Sequence, residues 1–169
     1  MVPIPLAPKT SSLQSKLKEW LKNSKKIVVA GIGNPIRMDD SAGVKIVRDL
    51  RGRVSEKVYL IECETVPENF IQKISSLNPT HILLIDAAML GSKPGHSKLI
   101  FPEHLAIFPA ISTHALPLKL FCDLISSATK AKIALLLIQP GNIGFGEGLT
   151  PEVEKSTKKI VEILLRVLP

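Results

Sequence analysis

Ile27-Val-Val-Ala-Gly-Ile-Gly-Asn-Pro-Ile-Arg-Met-Asp-Asp-Ser-Ala-Gly-Val44 compresses a strand, a tight loop and the start of a helix into one stretch. The β-branched run Ile27, Val28, Val29 empties into Gly31-Ile-Gly-Asn-Pro35, and the turn ends in two carboxylates, Asp39 and Asp40, where a helical pattern begins. Glycine opens backbone angles closed to other residues and Asn-Pro marks a turn, so the loop can curl over the carboxyl end of the strand. Ligands of open parallel sheets bind at that end. Taken singly, each aspartate reads as a helix cap or as a charge favoured by the helix dipole. The glycines are not a dinucleotide fingerprint, because Asn34-Pro35 follows Gly31-Ile-Gly33 and no third glycine stands where that motif needs one.

Outward from this stretch, strand and helix patterns alternate. On the amino-terminal side, residues 11–23 put Leu13, Leu17, Trp20 and Leu21 on one face of an amphipathic helix. On the other side, Ala42, Gly43, Ile46, Val47 and Leu50 form a stripe that stops at Gly52. Residues 57–63 read as a second strand, followed by a helix capped by Thr65 that buries Phe70, Ile71, Ile74 and Leu77. The apolar run 80–88 suits a central parallel strand covered on both faces, with Asp86 at its far end. An edge or antiparallel strand is expected at 97–101. A helix is expected over 112–127, opened by Ser112-Thr-His114, with Leu116, Leu120, Phe121 and Leu124 inward. A buried strand at 132–138 leads into the glycine-rich loop 141–148 and a final helix capped by Thr150, with Pro151 at its first position.

This alternation predicts an α/β fold: a three-layer α/β/α sandwich around a mostly parallel, twisted sheet of about five strands. Its length and its 45% hydrophobic content suit one domain with a substantial core. Residues 1–24 are read as an extension carrying one amphipathic helix, and 25–169 as a single α/β catalytic domain.

Composition narrows the partners. The charge of +7 would suit nucleic acid, but aromatics are only 4% and the lysines are scattered, so a solvated basic surface or an acidic protein partner is expected instead. Cys63 and Cys122 lie inside apolar elements without metal-ligand spacing and read as reduced core residues. The opening Met1 to Thr10, with three prolines, lacks a signal-peptide pattern, and no apolar run approaches the ~18 residues of a membrane span. A cytoplasmic monomer is expected, without nucleic-acid or membrane partners.

Residues leaving the carboxyl ends of parallel strands gather on one rim, which brings together Asp40, Asp86 and His114. Two carboxylates and an imidazole make a ligand set for a borderline divalent ion such as nickel or zinc, with open positions left for water or a partner's ligand. No serine-histidine or cysteine-histidine nucleophile pair is evident, so no covalent intermediate is expected.

From about Lys26 to Leu165 the chain resembles the hydrogenase maturation proteases, which trim the C-terminus of the large subunit of nickel-iron hydrogenases. The resemblance runs through Gly31-Ile-Gly-Asn-Pro-Ile-Arg-Met-Asp-Asp-Ser-Ala-Gly43, Pro67-Glu68-Asn69, Ile85-Asp86-Ala87, Ser112-Thr113-His114 and Ile138-Gln139-Pro140. It implies an endopeptidase whose Asp40, Asp86 and His114 contact nickel already loaded into the precursor large subunit, so that the metal arrives with the substrate. Met38 stands where the family commonly has glycine, Glu62-Cys63-Glu64 puts a thiol and an extra carboxylate near the rim, and residues 1–24 precede the usual family start. Either the nickel bridges enzyme and substrate to set the scissile bond, or it acts as a Lewis acid. Two other readings share these residues. One is a peptidyl-tRNA hydrolase-like esterase, whose Gly-x-Gly-Asn-Pro turn is similar, and the other is a non-catalytic nickel-binding assembly protein.

Overall fold

A computed structural model of the chain describes residues 12–106, 111–112 and 117–169. Six strands are present among them: β1 (Ile27–Ile32), β2 (Val58–Glu64), β3 (His81–Met89), β4 (Ser97–Ile100), β5 (Ile111–Ser112) and β6 (Lys132–Ile138). Five follow the order β2-β1-β3-β6-β4, and β5 pairs with the end of β3. The pairs β2-β1, β1-β3 and β3-β6 are parallel; β4 runs antiparallel to β6. The three-layer fold with a five-strand, mostly parallel sheet is as the sequence predicts.

Strand alternation divides the core in two. Val29, Leu83, Ile85 and Leu136 face one layer, made by α1 (Leu13–Trp20), α2 (Ala42–Leu50) and α5 (Pro151–Val167). Val28, Ala30, Leu84 and Leu135 face the other, made by α3 (Ile71–Ser76) and α4 (Leu118–Ala128). The residues of β1, and those of β3 as far as Ala88, are almost wholly enclosed because both faces of the sheet are covered. Helix α1 is docked: Leu17 and Leu21 are buried in the first layer, with Leu13 and Trp20 packed partly against it.

Helix α2 sits hard against the sheet's carboxyl rim. A Cβ on Gly43 would collide with the Ile85 carbonyl oxygen and lie 2.6 Å from that of Ile32, so only glycine lets this turn approach the ends of β1 and β3. That contact carries the aspartate pair to the rim.

Several local expectations are corrected. Thr65 does not cap a helix: Pro67–Phe70 is a 3-10 turn with Val66 at its cap position, and α3 follows it. Helix α4 begins at Leu118, and Ser112 belongs to β5, paired with Ala88. The buried stripe of α4 is Leu118, Phe121, Cys122 and Ile125, while Leu120 and Leu124 are exposed. Cys63 adds no thiol to the rim. Strand alternation puts Cys63 with Tyr59 and Ile61 on the face of β2 that meets the second core layer, where it is fully buried.

Candidate active site

The loop after β1 is zipped to the glycine-rich loop after β6. Met38 N–H donates to the Gly146 carbonyl (3.0 Å), Gly146 N–H to that of Ile36 (2.9 Å) and Asp39 N–H to that of Asn142 (3.0 Å). Arg37 Nε–H donates to the Ile143 carbonyl at 3.0 Å, and the Arg37 guanidinium carbon lies 5.6 Å from the centre of the Phe145 ring. Loop 141–150 is thus fastened across the rim.

Asp39 is the clasp. Its fully buried carboxylate accepts from the Gly141, Asn142 and Thr150 N–H groups (2.8, 3.0 and 2.7 Å) and from the Thr150 hydroxyl at 2.7 Å. Thr150 stands at the cap position of α5, but its hydroxyl serves Asp39 and makes no capping bond to the helix. This corrects the reading of Thr150 as a side-chain cap.

Asp40 is 3% exposed and lies in the 3-10 turn Met38–Ser41 that leads into α2. The cap position of α2 belongs to Ser41, whose hydroxyl donates to the Met38 carbonyl (2.7 Å). Asp40 Oδ2 accepts instead from the Asn34 N–H at 3.1 Å, drawing the loop round its own carboxylate. The 3-10 turn touches β3, on which Asp86 stands fully buried near the carboxyl end, directly after the Ile85 carbonyl that Gly43 abuts. Two carboxylates withdrawn from water thus occupy one end of the sheet, one from the β1 exit and one from β3. Carboxyl oxygens are the usual ligands of hard and borderline divalent cations, but among the described residues no group of three or more His, Cys, Asp or Glu comes together as a metal site. His114, the third residue expected here, lies outside the described residues.

The rim is further shaped by Gln139. Its buried side-chain carbonyl accepts from the Leu90 N–H at 2.6 Å, and its amide donates to the Pro140 carbonyl at 3.1 Å. It thereby ties the β3 exit to the β6 exit. Glu62 points to a structural pairing rather than to the carboxylate pair: it bridges Arg48 (3.0 Å) and Arg51 (2.6 Å) beside α2. Burial pushes the Cys63 and Cys122 thiols up to about 12, so neither is a ready nucleophile.

Residues 44–167 match the family model described as HycI, hydrogenase maturation protease. The chain belongs to the hydrogenase maturation protease family. A Methanocaldococcus jannaschii protein assigned as a hydrogenase maturation protease is 34% identical over 92% of this chain and 96% of its own length. The hydrogenase 3 maturation protease of Escherichia coli K12 is 28% identical, covering 81% of this chain and 87% of that protein. The crystal structure of the nickel-iron hydrogenase maturation protease HycI from Thermococcus kodakarensis KOD1 superposes with a TM-score of 0.81 at 28% identity, over 90% of this chain and 98% of that one. As a maturation protease the chain is an enzyme, and the peptidyl-tRNA hydrolase reading is set aside. No helix among its described residues is long and apolar enough to cross a membrane.

Among maturation proteases, two features of this chain's rim were not read from its sequence: the clasp by Asp39 and the tie by Gln139. The Asp39 clasp joins residues more than a hundred positions apart, beyond the reach of local pattern. For Gln139 a signal existed, because a polar side chain ending an otherwise apolar strand beside proline needs a buried partner.

Proposed function

We propose that this maturation protease removes the C-terminal extension of a nickel-iron hydrogenase large-subunit precursor, and that Asp40, Asp86 and His114 engage the nickel the precursor carries. The observation that carries the reading is the pair of buried carboxylates, Asp40 and Asp86, on one rim of the sheet. Both come from the carboxyl side of parallel strands, the end of an open α/β sheet at which ligands bind. Two carboxylates and one imidazole leave a divalent ion's shell incomplete, so a nickel ion held by the precursor's own ligands would complete its coordination here. Binding through the metal also orients the scissile bond, converting a chance encounter into a positioned one.

The chain's own part is to hold the carboxylates still. Asn34 N–H fixes Asp40, the Asp39 clasp holds the adjoining turn, and Gly43 presses that turn onto the ends of β1 and β3. Cleavage then proceeds by water rather than by a thiol, in keeping with the two deeply buried cysteines. A cytoplasmic, monomeric enzyme acting on a protein partner, without nucleic acid, fits this reading and the scattered positive charge.

Cleavage of a nickel-loaded large-subunit precursor, beside the same precursor without nickel, tests the proposal. Shortening of the loaded precursor alone is expected. Equal processing of both would remove nickel as the recognition element. Absence of cleavage in both would remove that large subunit as the substrate of this protease.

A further inference from the structure

The large exposed hydrophobic side chains of the described residues are not scattered. Ile36 (55% exposed), Val66 (40%), Met89 (47%) and Phe145 (84%) stand on the exits of β1, β2, β3 and β6, one for each parallel strand. The remaining two, Leu120 and Leu124, lie on α4. Neighbouring strands are about 4.8 Å apart, so the four successive exits lie along one end of the sheet, and two of them, the β1 exit with Ile36 and the end of β3 with Met89, also carry Asp40 and Asp86. A single exposed apolar residue needs no explanation, but one on each of four neighbouring strand exits at one end of a sheet does.

Phe145 is the most exposed of the four and the most firmly held. Its neighbour Gly146 exchanges backbone hydrogen bonds with Ile36 and Met38, Arg37 lies against its ring, and Asp39 fastens the loop on either side of it. A loop that was merely tolerated would not be tied at so many points while presenting a phenylalanine to water. The Arg37 carbonyl also accepts from the Asp40 N–H at 3.0 Å, which links the aromatic platform to the carboxylate within a few residues.

We propose that Ile36, Val66, Met89 and Phe145 form an apolar docking collar for the precursor large subunit, with Phe145 braced by Arg37 as its anchor. The inference rests on the proposed function and names how that same site selects its protein substrate. The occupant is the folded precursor's apolar surface flanking the scissile segment, because Ile36 and Met89 stand on the same β1 exit and the same strand β3 as the carboxylates that would meet the metal. Rigid aromatic anchors ordered before binding lose little conformational freedom on association, which is why they dominate interfaces of this kind.

The test uses the full chain and a purified nickel-loaded precursor, with processing kinetics and binding by surface plasmon resonance read side by side. The double variant I36S/F145S should raise KM about tenfold or more, with kcat within about twofold and an unchanged melting temperature. F145L should recover most of the loss, whereas L120S/L124S, on α4, should leave KM as it was. An unchanged KM and affinity in I36S/F145S overturns the collar. So does a wild-type protein that self-associates through Phe145 while the precursor binds equally well without it. Wild-type protein that binds the precursor but never cleaves it would refute the protease reading for that precursor, yet loss of that binding in I36S/F145S would still support the collar. No binding by the wild type overturns both.

Discussion

Asp39 and Thr150 are joined twice: the Thr150 N–H donates to Oδ1 and the Thr150 hydroxyl to Oδ2, each at 2.7 Å. With the Gly141 and Asn142 amides on the same carboxylate, this one side chain closes the β6 loop over the β1 loop and sets the start of α5. Of two adjacent aspartates, one builds the rim and the other presents a carboxylate on it.

Asp39→Asn should therefore be a stability variant. An amide nitrogen would face donors at one of the two oxygens, stranding buried N–H groups. Hydrogen bonds to a charged group contribute about 1.5–3 kcal/mol each, and partial relaxation should leave a loss of about 2–4 kcal/mol. Urea unfolding reads it directly; a midpoint equal to wild type would show that the loop does not depend on the clasp.

Met38 takes a left-handed conformation, φ 42°, at the position where the family commonly has glycine. That conformation costs about 1–2 kcal/mol for a residue with a Cβ, and glycine gives back roughly 0.5–1 of it through unfolded-state entropy. Met38→Gly should stabilise the protein by about 0.5–1 kcal/mol. A loss of stability would mean that the methionine side chain, packed near Gly146, outweighs the backbone term.

His81 titrates below its ordinary range. It is 2% exposed at the start of β3, with the Trp20 ring edge-on at 5.0 Å, the Thr80 hydroxyl 3.0 Å from Nδ1 and the Lys132 charge nearby; burial is the larger cause and Lys132 the lesser. A lowered folded pKa means the unfolded chain binds the proton first, so stability rises with pH. The contribution is whole above the unfolded value of about 6.5 and is lost as pH falls through the lower folded value. Between about pH 7.5 and 5, the wild type should lose more stability than His81→Gln. Parallel curves would show that the imidazole titrates without consequence.

The two thiols should be inert in the native state. With both pushed up to about 12 by burial, a disulfide reagent near pH 8 should label Cys63 and Cys122 only on unfolding. Stoichiometric labelling of the folded protein would contradict their placement in the core.

How much of this was legible follows from the range of each interaction. The runs Ile82–Ile85 and Ile133–Ile138 declare buried strands by themselves, and Gly43 beside Asp40 marks the turn that meets them. The register of α4 was not legible, because apolar residues at 116, 120, 121 and 124 fit helical spacing as well as the buried set at 118, 121, 122 and 125. Ser112 resembled a helix opening although it joins β5, a pairing decided by Ala88 far upstream. Thr150 was placed correctly at the start of α5, yet its hydroxyl answers to Asp39, a partner 111 positions away. Carboxylates at strand ends could be found from pattern; what each one holds could not.

Single-turnover cleavage of nickel-loaded precursor by Asp40→Asn and Asp86→Asn, each first checked for native melting behaviour, tests the central claim most directly. Asparagine keeps the size and one acceptor oxygen of each side chain but is a much poorer cation ligand, so on the proposed nickel-engaging role both variants should fold and cleave slower by on the order of a hundredfold or more. A folded Asp40→Asn or Asp86→Asn protein that processes the loaded precursor at the wild-type rate would contradict the account.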